Sequence, residues 1–120
     1  MVDVLHPADD LPLHPTPAPL LHPMSDSPGL YDRYFHNGFA ADGSLFFAVA
    51  LGVYPNRQVM DASFSVVLDG VQHNVRSSRR CSTDRTNTVV GGIAVSVVEP
   101  MLEHRVTVDG AQGVSADLVW

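Results

Sequence analysis

From Leu45 onward the chain alternates apolar and polar positions with a period of two, and most of the apolar positions are β-branched or aromatic. Clusters of Gly, Asp, Asn and Pro cut this pattern into short runs. The spacing predicts strands over residues 33–37, 44–53, 60–68, 71–77, 88–98, 102–108 and 114–120. No stretch sustains a helical period. Short strands joined by tight turns predict an all-β fold, an antiparallel meander forming a partial barrel or a sandwich layer.

Local chemistry fixes some of the register. Asp69-Gly70 is a dipeptide suited to a two-residue type I′ turn, in which both central residues take φ > 0. Such a turn sets Leu68 opposite Val71, Val66 opposite His73 and Phe64 opposite Val75. One face then carries Met60, Ala62, Phe64, Val66 and Leu68 with Val71, His73 and Val75. The other carries Asp61, Ser63 and Ser65 with Gln72, Asn74 and Arg76. The preceding strand has Leu45, Phe47, Val49, Leu51 and Val53 on one face and Ala48, Ala50 and Gly52 on the other. Matching its large face to the Phe64 face requires an odd register sum, for example Val49 opposite Phe64, with Tyr54-Pro55-Asn56-Arg57 turning between. The small face permits close approach by another backbone or a ligand. Later, Leu102, His104, Val106 and Val108 share one face, and the turn after them returns Val114, Ala116, Leu118 and Trp120.

Two histidines, His73 and His104, thus fall on apolar faces, where burial lowers a histidine pKa unless a partner compensates. With Phe64, Val66 and Val75 they are the candidate ligand-binding residues, set against the ordinary alternative of core histidines bonded to backbone or water. Four of the seven arginines lie between Arg76 and Arg85. Arg76, Arg79 and Arg80 are candidates for an anion, and neighbouring cations would lower the pKa of Cys81; a solvated loop is the simpler reading.

Residues 1–30 break the pattern. They hold seven of the nine prolines and a Leu-His-Pro triplet repeated at Leu5, Leu13 and Leu21. Proline removes backbone donors and favours extended geometry, so this segment is expected to be a disordered tail before a β domain at 31–120. His6, His14 and His22 stand eight residues apart, which pre-organises no metal site in a flexible chain. The net charge of −6, with no lysine, opposes phosphate-tracking nucleic-acid binding. A lone cysteine and an acidic, proline-broken start point to a cytoplasmic protein, and the longest apolar run, Leu45 to Tyr54, is about half of the ~20 residues of a membrane helix. No Gly-rich phosphate loop, nucleophile elbow, zinc-protease motif or CxxC occurs, and no cofactor is expected.

The runs Asp32-Arg33-Tyr34-Phe35-His36-Asn37-Gly38, Gly43-Ser44-Leu45-Phe46-Phe47, Tyr54-Pro55-Asn56-Arg57, Phe64-Ser65-Val66-Val67 and Gly70-Val71-Gln72-His73 resemble a lipocalin-like bacterial family. That group contains AttH-like proteins and the carotenoid 1,2-hydratases, or hydroxyneurosporene synthases. The resemblance covers about residues 31–120 and implies a lipocalin-like (calycin-like) barrel, of which this chain holds the first part of a first domain. It implies an apolar ligand of isoprenoid or fatty acyl type. No position matches the acidic residue of the hydratases, so no catalytic residue is carried over. Three functions are weighed: a non-catalytic binder of a hydrophobic ligand, a hydratase-like enzyme acting on an isoprenoid double bond, and a structural half-barrel associating through open strand edges.

Overall fold

The computed structural model describes residues 5–120, and among them the alternating pattern forms eight strands in two antiparallel sheets. The first sheet is a meander of β1 (Asp32–Phe39), β2 (Leu45–Tyr54), β3 (Val59–Leu68) and β4 (Val71–Arg80). The second is a meander of β5 (Val89–Val90), β6 (Ile93–Glu99), β7 (Glu103–Ala111) and β8 (Val114–Val119). The sheets share one core and do not close into a barrel. Val49, Leu51, Met60, Phe64 and Val75 of the first meet Val90, Ile93, Val95, Val106 and Val108 of the second.

The β3–β4 pair keeps the register that turn chemistry dictates. Asp69 and Gly70 take φ of 50° and 77°, and Val66 faces His73 while Phe64 faces both Val75 and Val49. Pro55–Arg57 forms one 3-10 turn, closed by Gln58 at φ 54°.

Three expectations need correction. The strand over 88–98 is two strands, because Gly91-Gly92 makes a tight turn that sets Val90 opposite Ile93. A Cβ on Gly91, whose φ is 59°, would stand 2.3 Å from Ser77 Oγ, so a side chain there would collide with β4. Leu102 is not on the apolar face: Met101 turns the chain at φ 65°, β7 begins at Glu103, and Leu102 is exposed.

The third correction concerns the N-terminal segment. Residues 5–30 form no strand, and Pro7–Asp10 is a single 3-10 turn. Yet the segment is packed, not a disordered tail: Leu13 and Leu20 belong to the core, Leu20 with 0% exposure. A proline-rich chain leaves its carbonyls unused, and donors of the folded part take them. Arg85 donates to the carbonyls of Pro12 and Thr16 at 2.7 and 2.6 Å. Asn56 donates to those of Ser25 and Ser27 at 2.7 and 2.8 Å, and Arg57 to that of Pro28 at 2.8 Å. The Leu13 N–H in turn donates to Asp32 Oδ2 at 2.8 Å.

Candidate functional site

Where β3 and β4 meet, the hairpin runs past the cover of the second sheet, and Leu68, Val71 and His73 are exposed. Below this overhang lies a cleft of about 380 Å³ between the sheets. Phe47, Phe64 and Val66 form one wall; Val114, Ala116 and Leu118 of β8 form the other. His73, Ser115 and Asp117 supply its polar groups. Asp117 is committed to an ion pair with Arg105, which holds its carboxyl below the usual range.

The cleft thus brings together three of the predicted binding residues, Phe64, Val66 and His73. Val75 is buried in the core and does not line it, and His104 lies elsewhere. His73 keeps its place on the inner face but is exposed there, so the expected burial is corrected: nothing on the second sheet covers the hairpin tip. The arginines do not converge either. Arg76 and Arg80 fall on the outer side of β4, whereas Arg79 has the inward parity. Arg79 spends its guanidinium on the carbonyls of Val89, Arg80 and Asn87, at 2.6, 2.7 and 2.8 Å, tying β4 to the β5 region. Burial pushes the Cys81 thiol up, outweighing the Tyr54 backbone bond and the Arg79 charge, the reverse of the activation that the neighbouring cations suggested.

His104 belongs to a polar chain that leads back to the N-terminal segment. Its Nε2 lies 2.8 Å from Asp10 Oδ2, and its Nδ1 lies 3.3 Å from His36 Nε2. Asp10 Oδ2 also accepts the Met101 N–H at 2.8 Å, and both Asp10 and His104 side chains are 15% exposed. Burial raises the Asp10 carboxyl, but the Met101 donor, the His104 hydrogen bond and the two histidine charges outweigh it and hold the group below 3.8. An ionised carboxylate only accepts, so His104 presents a proton on Nε2; wherever its Nδ1 is unprotonated, that nitrogen accepts from His36 Nε2–H. Tyr34 donates its hydroxyl to the Asp10 carbonyl at 2.5 Å. Burial first, then Asp10 and Asp32 against Arg85, push its phenol well above the usual value, so it stays a neutral donor.

This chain reaches the apolar cleft through aromatic contacts. Trp120 faces His104 on the ladder, each N–H bonded to the other's carbonyl at 2.9 Å, so both rings share a face. His36 from the opposite sheet sits 4.8 Å from the Trp120 ring, and Trp120 meets Phe47 edge-on at 5.4 Å. Phe47 is the residue that lines the cleft. Its ring lies over Gly38, where a Cβ would come within 2.7 Å of two ring carbons.

Asp10, Tyr34, His36 and Trp120 are not among the site residues that the sequence predicts. A signal exists in β1, whose Asp32, Tyr34, His36 and Gly38 alternate with Arg33, Phe35, Asn37 and Phe39. By hydrophobicity the Phe35 side should face inward; the pairing of His36 with Val49 turns it outward. Asp10 carries no such signal.

Among the described residues, no group of three or more His, Cys, Asp or Glu side chains is placed to hold a metal ion, and no helix is long and apolar enough to cross a membrane. A family model described as a family of unknown function (DUF8625) matches residues 5–120. The chain belongs to the DUF8625 family. No curated protein and no solved structure matches it. The matched DUF8625 span takes in the proline-rich segment, consistent with Leu13 and Leu20 being part of the core.

Proposed function

We propose that the chain is a non-catalytic module that binds a hydrophobic ligand, of isoprenoid or fatty acyl type, between its two sheets. The observation that carries this reading is the cleft of about 380 Å³ walled by Phe47, Phe64 and Val66 against Val114, Ala116 and Leu118. Small-molecule sites are typically apolar hollows of roughly 300–1,000 Å³ with a few polar groups, and this one stands at the lower end. It suits a single acyl chain or a short isoprenoid, with a head group beside His73 and Ser115. Each methylene moved from water into such a site contributes about 0.8 kcal/mol.

A hydratase-like reaction on an isoprenoid double bond is the second reading, and the Asp10–His104–His36 chain favours it, since it joins a carboxylate to two imidazoles at hydrogen-bond distances. One experiment separates the two: mass spectrometry of lipids extracted from the purified protein, beside an Ala116→Phe variant that fills the cleft. An unaltered apolar lipid, lost in the variant, supports the binder. A lipid hydrated in the wild type and unaltered in His104→Gln supports the enzyme. Absence of lipid, with no uptake of the neutral dye Nile red, overturns both.

A further inference from the structure

The contact between His36 and His104 constrains how many protons the two rings can hold. At 3.3 Å, one nitrogen must donate and the other must offer a lone pair. A single added proton preserves the geometry: His104 then donates from Nε2 to Asp10 and from Nδ1 to His36. A second proton removes the last lone pair at the contact and leaves two cations facing each other with no acceptor between them.

We propose that acidification releases the ligand of the inter-sheet cleft, double protonation of the His36–His104 pair pushing the His36 ring off Trp120 and freeing the Phe47 wall that Trp120 supports. This rests on the binding reading above and adds its regulation. The mechanical path is short. His36 lies tilted against Trp120, Trp120 meets Phe47, and Phe47 lines the cleft. Phe47 also stacks at 6.2 Å on Phe64 of the same wall, so a displaced ring disturbs both aromatic residues.

Among the described residues, the titratable groups facing His36 are His104 on β7 and Asp10 on the N-terminal segment. From the neighbouring strands, Val49 of β2 and Trp120 after β8 bring no side-chain charge to it. Tyr34, on β1 itself, stays neutral and meets His104 edge-on at 5.5 Å. Burial first, then the His104 charge, hold His36 below the ordinary histidine value of 6.5, with Asp10 pulling the other way. Burial and the neighbouring cation both oppose the second proton, which therefore needs a more acid solution than an ordinary imidazole does.

Trp120 is the sole tryptophan, so its fluorescence reports the contact directly. The experiment titrates Nile red, which carries no charge in this range, against the wild type at about pH 7.5 and about pH 5, with Trp120 emission followed in parallel. Affinity should fall roughly tenfold or more on acidification, Trp120 emission should change in the same range, and His36→Phe should abolish both effects. His73→Gln, altered at the cleft mouth, should retain the ratio between the two affinities. Should His36→Phe not fold, His36→Gln keeps a neutral polar group there and carries the same expectation. Dye bound equally well at both values overturns the regulation alone, and so does a fall that His36 variants retain or His73→Gln removes. No dye bound at about pH 7.5 overturns the binding reading itself, and the regulation with it. Loss of the far-ultraviolet sheet spectrum at about pH 5 would mean global unfolding and also overturns local release.

Discussion

Gly38 shows how one missing side chain organises the cleft. It pairs with Phe47 across β1 and β2, and the Phe47 ring occupies the space that a Cβ would take, 2.7 Å from two of its carbons. Trp120 and Phe64 hold the same ring from other sides. Gly38→Ala must therefore move an aromatic residue that is itself buried, against partners packed on it. Overpacking of this kind costs about 1–3 kcal/mol. Urea denaturation should show that loss, and Nile red affinity should fall with it because the displaced ring intrudes on the cleft. An unchanged urea midpoint would mean that the ring moves freely, and Gly38 would then have no part in shaping the wall.

At the scale of elements, the N-terminal segment is the informative case, because composition and structure disagree about it. Proline content describes what the segment cannot do alone, which is form a strand or a helix. It says nothing of the open carbonyls that Arg85, Asn56 and Arg57 collect, or of the apolar hollow that Leu20 fills. A Leu20→Ala substitution should cost about 2–5 kcal/mol, against under ~0.5 kcal/mol for a residue in a solvated tail, as measured by chemical denaturation. The β3–β4 hairpin is the opposite case. Asp69-Gly70 and the alternation of Phe64, Val66, His73 and Val75 carry the register locally, so both the face and the pairing are legible in the amino-acid order. Phe64, Val66 and His73 reach the cleft through that local rule. Asp10, 94 residues from His104 in sequence, cannot be found this way, because only tertiary packing brings them within 2.8 Å. β1 misleads for a related reason: pairing with β2 overrides its own hydrophobic alternation and leaves Phe35 and Phe39 exposed.

The whole molecule is two sheets joined without a continuous ladder, so side-chain contacts close its seams. Arg79 bridges β4 to the β5 region, and the Asp10–His104–His36 chain joins β1, β7 and the N-terminal segment. A seam made of titratable groups makes stability depend on pH, with a sign that follows from each shift. His36 is a base whose folded pKa lies below its ordinary 6.5, so the unfolded chain binds that proton more readily. Stability therefore falls as pH drops below about 6.5 and through the lower folded value. Asp10 is an acid whose folded pKa lies below 3.8; its contribution is full above that value and is lost as pH falls through the folded one. Asp42, Asp84 and Asp117, held low by Ser44, Thr86 and Arg105, act in the same acid window. Urea midpoints measured from neutral pH downward should thus decline in two stages. His36→Phe should flatten the first stage and leave the second. Asp10→Asn should shrink the second without removing it, since three other carboxylates remain. A wild-type midpoint that stays level until the carboxylate range would place no strain at the His36–His104 contact, and the seam would then be held by packing alone.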